Sequence, residues 1–240
     1  MNSRIVVYTA LFGEYDDLKN PPEPIDGCDF VCFTNNRKLR SGAFDIRYFN
    51  IKDMDNTRRN RMVKLLPHRF FPDHEYSLYI DGSVSIKRAD IRDFALRHLV
   101  KHDWAVFSHS SRNCIYEELE ACIERQKDDP VTMRRQIEHY RRNGHPEKYG
   151  LTENTILLRR HNQPNIIRFS ELWWQELQRH SKRDQLSFAY VARNEQLEYA
   201  LLPGTIRNND HFEIHTHKHK KTPVQKLLKS LKKGLQNNKI

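Results

Sequence analysis

Apolar and polar positions follow two rhythms along this chain. Residues 4–11 (RIVVYTAL) are rich in β-branched and aromatic side chains and run into Gly13, which predicts a buried first strand and a turn. Residues 28–35 (CDFVCFTN) and 45–51 (DIRYFNI) predict two further strands. Residues 56–66 set Arg58, Arg59, Arg61 and Lys64 around Met62 and Leu65, the spacing of a helix, and Pro67 ends it. Residues 76–80 (YSLYI) predict an apolar strand stopped by Asp81-Gly82; a helix over 91–101 and a strand over 104–108 follow. Further on, 116–126 and 130–142 read as polar helices, and Gly144 and Pro146 break the chain. A short strand is predicted at 155–158. Ser170 is expected to cap a helix through Arg179 with Leu172, Trp173 and Leu177 on one side. Another helix starts at Arg183 and carries Leu186, Ala189 and Tyr190, and a last strand covers 199–202. This alternation predicts an α/β fold, a mostly parallel sheet flanked by helices. Ligands of such sheets bind beyond the carboxyl ends of the strands, here residues 9–13, 34–35, 81–83 and 109–112.

The C-terminal residues change the charge picture. The chain has 240 residues with 41 basic and 31 acidic side chains, a formal charge of +10. Residues 218–240 hold eight lysines and no acid, so 33 basic residues face the 31 acids in the rest. The basic balance therefore belongs to a tail and not to a nucleic-acid-binding surface, and no nucleic-acid partner is expected. Within the tail Val224, Leu227, Leu228, Leu231 and Leu235 fall on one helical stripe, with Lys226, Lys229, Lys232 and Lys233 opposite. Thr222 suits a cap and Pro223 a first helical turn. Such a basic amphipathic helix suits an anionic membrane surface; docking on its own domain or a solvated tail are the alternatives. The expected division is one domain over 1–217 and a tail over 218–240. No apolar run approaches the 18 residues of a membrane span. No leader pattern opens the chain, and the spacing of its four cysteines suits neither a zinc ribbon nor a disulfide framework. The expected location is the cytoplasm, peripheral at the inner membrane face.

Four constellations carry candidate chemistry. Asp81-Gly82-Ser83 stands at the mouth of a buried strand, where a carboxylate can hold Mg2+ or Mn2+ against phosphate oxygens; a plain Asp-Gly turn is the alternative. Arg58, Arg61 and Lys64 share a helix face that could neutralise a diphosphate, or be a solvated basic face. Asp184 and Gln185 open a helix, where a carboxylate and an amide could grip sugar hydroxyls or do acid–base work, or simply cap it. His215, His217 and His219 alternate, so in a strand they would share a face and could complete a site begun by Asp81; a polar terminal stretch is the alternative.

Taken in order, the segments form a specific set: Tyr8-Thr9-Ala10-Leu11-Phe12-Gly13-x-Tyr15-Asp16, Lys64-x-x-Pro67-His68, Tyr79-Ile80-Asp81-Gly82-Ser83, His109-x-x-Arg112-x-Cys114-Ile115-Tyr116-x-Glu118, Gly150-Leu151-x-Glu153-Asn154, Trp173-Trp174-x-Glu176 and Arg183-Asp184-Gln185-Leu186-Ser187-Phe188. Over about residues 5–217 the chain resembles the glycosyltransferase-like family catalogued as domain of unknown function 616, related to the GT-A nucleotide-sugar transferases. The resemblance implies a GT-A-like fold and transfer of a sugar from a nucleoside diphosphate to a hydroxyl of a glycan or lipid-linked acceptor. It implies that Thr9, Ala10, Leu11, Phe12 and Gly13 hold the nucleoside with Tyr15 stacked on the base. Thr34, Asn35, Arg61, Lys64, Asp81, Gly82 and Ser83 would complete the donor site. Asp81 stands where relatives carry the first acid of an Asp-x-Asp motif, whereas the third position here is Ser83. The implied divalent cation, Mn2+ or Mg2+, would then rest on Asp81 with His215 or His217. Asp184 is placed at the anomeric centre beside Gln185, as general base of an inverting reaction or donor-positioning group of a retaining one. His109, Arg112, Glu118 and Asn154 are the expected acceptor and sugar contacts. The competing expectation is a binding protein, a lapsed transferase or a module for anionic polymers.

Overall fold

The structure is a computed structural model that describes residues 4–13 and 15–217. The predicted tail helix and His219 lie outside the described residues. Strands β1 (Ile5–Leu11), β2 (Cys28–Thr34) and β3 (Asp45–Tyr48) precede helix α1 (Asn56–Leu65) and a 3-10 turn at Pro67–Arg69. Then come β4 (Tyr76–Ile80), β5 (Val84–Ile86), α2 (Ile91–His98), β6 (Trp104–Ser108), α3 (Ile115–Glu124) and α4 (Pro130–Arg142). β7 (Thr152–Arg159), α5 (Pro164–Arg179), α6 (Asp184–Asn194), β8 (Ala200–Leu202) and β9 (Phe212–Ile214) complete the described order.

Seven strands form one sheet in the order β3-β2-β1-β4-β7-β6-β8. β7 is antiparallel to both its neighbours, and the remaining pairings are parallel. The fold is thus the expected mostly parallel sheet flanked by helices. Alternate side chains of the buried strands enter opposite layers, as the two-residue strand period demands. Val6, Tyr8, Tyr79, Val106 and Leu157 pack with Val63, Trp173, Leu177 and Phe188 of α1, α5 and α6. Ile5, Val7, Leu78, Ile80 and Leu158 enter the other layer and pack with Ile91, Phe94 and Ala95 of α2. The chain runs outward from β1 to β2 and β3, then returns to place β4 on the other flank of β1. That reversal is a switch point at the carboxyl ends of β1 and β4, the place where open sheets form their ligand crevice.

Four elements differ from the sequence expectation. Helix α5 starts at Pro164 with Gln163 as its cap, so Ser170 is not a cap but a buried residue within the helix. The apolar spacing Ile166, Phe169, Trp173, Leu177 already runs back that far. β7 starts at Thr152 and not at 155. β5 and β9 pair antiparallel in a separate two-stranded sheet, and the strand ends at Ile214, before the alternating histidines.

Candidate active site

The candidate site is built from α1, the first turn of α6 and the ends of β1 and β4. Asp55 caps α1, accepting from the N–H groups of Thr57 and Arg58 at 3.0 Å each. The helix then delivers Asn60, Arg61 and Lys64 to the sheet. Asn60 donates to the Ala10 carbonyl at 2.8 Å, which ties α1 to the end of β1. The Lys64 carbonyl accepts from the Tyr8 hydroxyl and from the Arg159 guanidinium, both at 2.9 Å. Two buried groups therefore fix the turn that carries the Lys64 side chain.

That side chain is 1% exposed. Its Nζ lies 2.7 Å from Asp184 Oδ2 and 3.7 Å from Asp81 Oδ1, and Arg61 Nε lies 3.1 Å from Asp184 Oδ1. The first turn of α6 thus brings Asp184 onto two cations from α1. Burial opposes ionisation of Asp184, but Arg61, Lys64 and Arg183 overcome it and hold the carboxyl well below its ordinary range. Asp81 follows β4, and its Oδ1 accepts from the Tyr79 hydroxyl at 2.8 Å. Burial, reinforced by the Asp81 charge, pushes the Tyr79 phenol well above its usual value, so it stays a donor. Tyr79 and Lys64 both approach Oδ1 of Asp81.

The donor-side residues divide by what their side chains do. Ala10 and Phe12 are buried in the core, so they offer a ligand backbone and not side chain; Thr9 is buried as well. Leu11 lies over Gly82, where an added Cβ would stand 2.4 Å from Leu11 Cδ2 and 3.2 Å from Asp16 Cβ. Gly13 has φ +71°, and its N–H donates to Asn35 at 3.2 Å. The Thr34 hydroxyl accepts from the Asn36 N–H at 3.0 Å and closes a turn. Tyr15 is half exposed, with its ring 4.7 Å from that of His217. Ser83 is buried, and its carbonyl accepts from the His215 N–H at 2.7 Å.

The predicted metal ligands take different partners. His215 Nε2 meets the Ser85 hydroxyl at 2.8 Å, because the β5–β9 pairing sets it there. His217 Nδ1 lies 3.0 Å from Asp16 Oδ2, on the Gly82 side of Asp81. Among the described residues no three His, Cys, Asp or Glu side chains gather where they could share an ion. The donor set does not make a protein-only metal cage. Asp81 suits the other arrangement, in which one or two carboxylates share a cation with substrate phosphates. Arg58 also leaves the expected basic face: it pairs with Asp55 at 2.9 Å and donates to the His180 carbonyl at 3.2 Å. The Gln185 amide donates to the Thr152 carbonyl at 3.1 Å and so ties α6 to β7.

A second group stands at the end of β6. Arg112 donates to Glu118 at 2.7 Å and lies 3.0 Å from His109 Nε2. Burial, with the Arg112 charge behind it, lowers the His109 pKa. Asn154 is buried, and its Oδ1 accepts from the Thr152 hydroxyl at 2.8 Å. Sequence reasoning assigns no role to Asn60, Tyr79, Asp16 or Arg159. For Tyr79 a signal exists, since residues two apart on a strand share a face with Asp81. Nothing local marks Arg159, whose role comes from the distant pairing of β7 with β4.

Comparison with known proteins gives this geometry a context. The model of the TOD1/MUCI70, glycosyltransferase-like domain matches residues 36–220. A protein named "Probable hexosyltransferase MUCI70" from Arabidopsis thaliana is 29% identical over 215 residues, which cover 78% of this chain and 37% of that relative. "Alkaline ceramidase TOD1", also from Arabidopsis thaliana, is 25% identical over 226 residues, covering 78% of this chain and 48% of its own length. The chain thus spans less than half the length of these curated relatives. Among solved structures, the apo form of mouse xyloside xylosyltransferase 1 is similar with a TM-score of 0.47 at 10% identity, over 83% of this chain and 84% of that one.

Proposed function

The chain belongs to the TOD1/MUCI70 glycosyltransferase-like family, and from that premise we propose that it is a GT-A-like transferase that moves a sugar from a nucleoside diphosphate sugar to a hydroxyl of a glycan or lipid-linked acceptor. The observation that carries this reading is the buried Lys64–Asp184–Arg61 cluster beside Asp81, at the point where the strand order reverses. Two fixed cations next to a strand-end carboxylate suit a diphosphate that gains charge as it leaves. Asp184 is held ionised by its partners and is a weak proton acceptor, which favours a positioning role over that of general base. A divalent cation, Mn2+ or Mg2+, belongs to the proposal as an ion shared between Asp81 and the diphosphate, where it would neutralise the leaving group.

The donor side comprises Gly13, Tyr15, Asn35, Gly82 and Ser83 with the backbone from Thr9 to Phe12; His109, Arg112, Glu118 and Asn154 form the acceptor side. The lysines and apolar stripe of 218–240 support attachment to an anionic membrane from the cytoplasmic face. No helix among the described residues is long and apolar enough to cross a membrane. The test is a screen of nucleotide-sugar donors for hydrolysis and transfer, with and without Mn2+. Turnover of a donor supports the reading. Release of fatty acid from ceramide with no donor turnover would replace it with the activity that one relative's name carries.

A further inference from the structure

Strand β7 loses its register where it passes the site. Val106 of β6 pairs with Leu157, yet the next residue, Phe107, pairs with Glu153, so 154–156 have no partner on β6. On its other flank Ile156 still pairs with Ile80, and the Asp81 N–H donates to the Thr155 carbonyl at 2.9 Å. The surplus chain is therefore a bulge next to Asp81, and bulges re-aim side chains beside functional sites.

What the bulge carries is unusual. Three consecutive residues each keep a buried polar atom with no hydrogen-bond partner among the described residues: Glu153 Oε2, Asn154 Nδ2 and Thr155 Oγ1. Glu153 is 9% exposed and Asn154 4%. A buried polar group left without a partner is destabilising, so three in a row call for polar partners brought from outside. The Glu153 carboxyl feels Arg207, Glu118, Asp81 and Arg112, groups from three separate segments. Its carboxyl is thus within electrostatic range of both Asp81 and the Arg112–Glu118 pair.

We propose that this bulge is a sugar-reading ledge, in which Glu153, Asn154 and Thr155 hydrogen-bond the hydroxyls of a neutral hexose unit and Glu153 selects that sugar. The proposal rests on the transferase reading above. A carboxylate that accepts, an amide that donates and a hydroxyl that does both form the mixed set a polyol needs. A phosphate needs donors alone. A uronic acid would set its carboxylate against that of Glu153, whose surroundings hold the acids Glu118 and Asp81 as well as the cations Arg207 and Arg112. Burial raises the Glu153 pKa, with Arg207 and Arg112 opposing the shift and Glu118 and Asp81 adding to it. The hexose unit is that of the donor or the first unit of the acceptor, and the assay separates them.

The test uses the full chain, its Glu153→Gln, Glu153→Asp and Asn154→Ala variants, and UDP-glucose, UDP-galactose, GDP-mannose and UDP-glucuronate as probes. For the best neutral donor, Glu153→Gln is expected to lower kcat/KM about 10- to 100-fold, the range of one or two lost hydrogen bonds to a sugar. Glu153→Asp should recover part of the loss and Asn154→Ala should lose less. Affinity for free UDP or GDP should change by less than about twofold, and the ratio of glucuronate to neutral-sugar turnover should rise. A loss that persists in acceptor-free hydrolysis places the donor's sugar on the ledge; a loss seen as a higher acceptor KM places the acceptor there. Unchanged kcat/KM and sugar ratio in both Glu153→Gln and Asn154→Ala would overturn the ledge, as would an equal fall in UDP or GDP affinity. If the unmodified chain binds neither nucleotide and turns over no donor, the transferase reading itself fails, and the ledge with it.

Discussion

Lys64 is fully enclosed, and burial lowers its pKa while the carboxylates of Asp184 and Asp81 beside it favour the charged form. Removing one partner of such a buried pair leaves the other charge uncompensated, typically at about 3–5 kcal/mol. Asp184→Asn is therefore expected to lower stability by about 3 kcal/mol in urea unfolding. Lys64→Met combined with Asp184→Asn should cost less than the two single changes together, because neither buried charge then lacks its partner. The pH dependence follows from the same cluster. The folded Asp184 carboxyl lies below its ordinary value of 3.8, so its stabilisation is fully present above 3.8 and is lost as the pH falls toward the folded value. Acid unfolding below pH 3.8 should thus be steeper in the unmodified chain than in Asp184→Asn. Asp81 differs, being partly open and bound to Tyr79 on one oxygen. Asp81→Asn keeps an acceptor for Tyr79 and removes only the more distant of the two carboxylates beside Lys64, so it should destabilise less than Asp184→Asn while donor turnover falls about 100-fold or more, the scale of a lost electrostatic contact in a transition state. Near-normal turnover would remove Asp81 from the chemistry.

At the scale of elements, the site depends on how α1 is held against the sheet. The Tyr8 hydroxyl donates to the Lys64 carbonyl and also receives the Arg159 guanidinium. Tyr8→Phe would take one of two acceptors from that buried guanidinium and one of two donors from the Lys64 carbonyl, at about 1–3 kcal/mol. Thermal melting should show it as a fall of several degrees in a domain of this size. The elements that deliver these residues are legible in the sequence where the pattern is long. β1, β4 and β6 are near-continuous apolar runs, and α1 carries both a cap and a stop. β5 and β9, at three residues each, are too short to show a period. The pattern of β7 looks shorter than the strand because Glu153 and Asn154 interrupt its apolar run. Those polar residues depart from the strand pattern at the bulge, where local pattern gives way to the needs of a site. Asp81, Lys64, Arg61 and Asp184 are legible as chemistry from residue type and position. Their mutual pairing is not, because it depends on α1 and α6 meeting over the sheet.

At the scale of the whole molecule, the two core layers close over the thiols as well as the sheet. Cys28, Cys32, Cys114 and Cys122 are free and buried. Burial pushes the thiols of Cys28 and Cys122 up to about 11 and that of Cys32 up to about 12. A thiolate is the reactive form, so a disulfide-exchange reagent at about pH 8 should titrate fewer than about one thiol in the folded chain and all four in denaturant. Fast reaction of two or more in the folded state would show that the layers open easily.

The contact between Asp16 and His217 joins positions 201 residues apart. It sets an order in time. A chain made at roughly 5–20 residues per second presents Asp16 well before His217 exists, so that partner arrives about ten seconds later or more. Long-range closures of this kind are also the slow ones to form. The Gly82 flank of the crevice is accordingly finished last, after the sheet beneath it has had time to assemble. A chain shortened to end at Ile214 retains β9 and should fold with a near-normal far-ultraviolet spectrum. Its affinity for a nucleoside diphosphate should nevertheless fall about tenfold, the scale of one charge-assisted hydrogen bond. Equal affinity in the shortened chain would show that the crevice is ready before its last residues arrive.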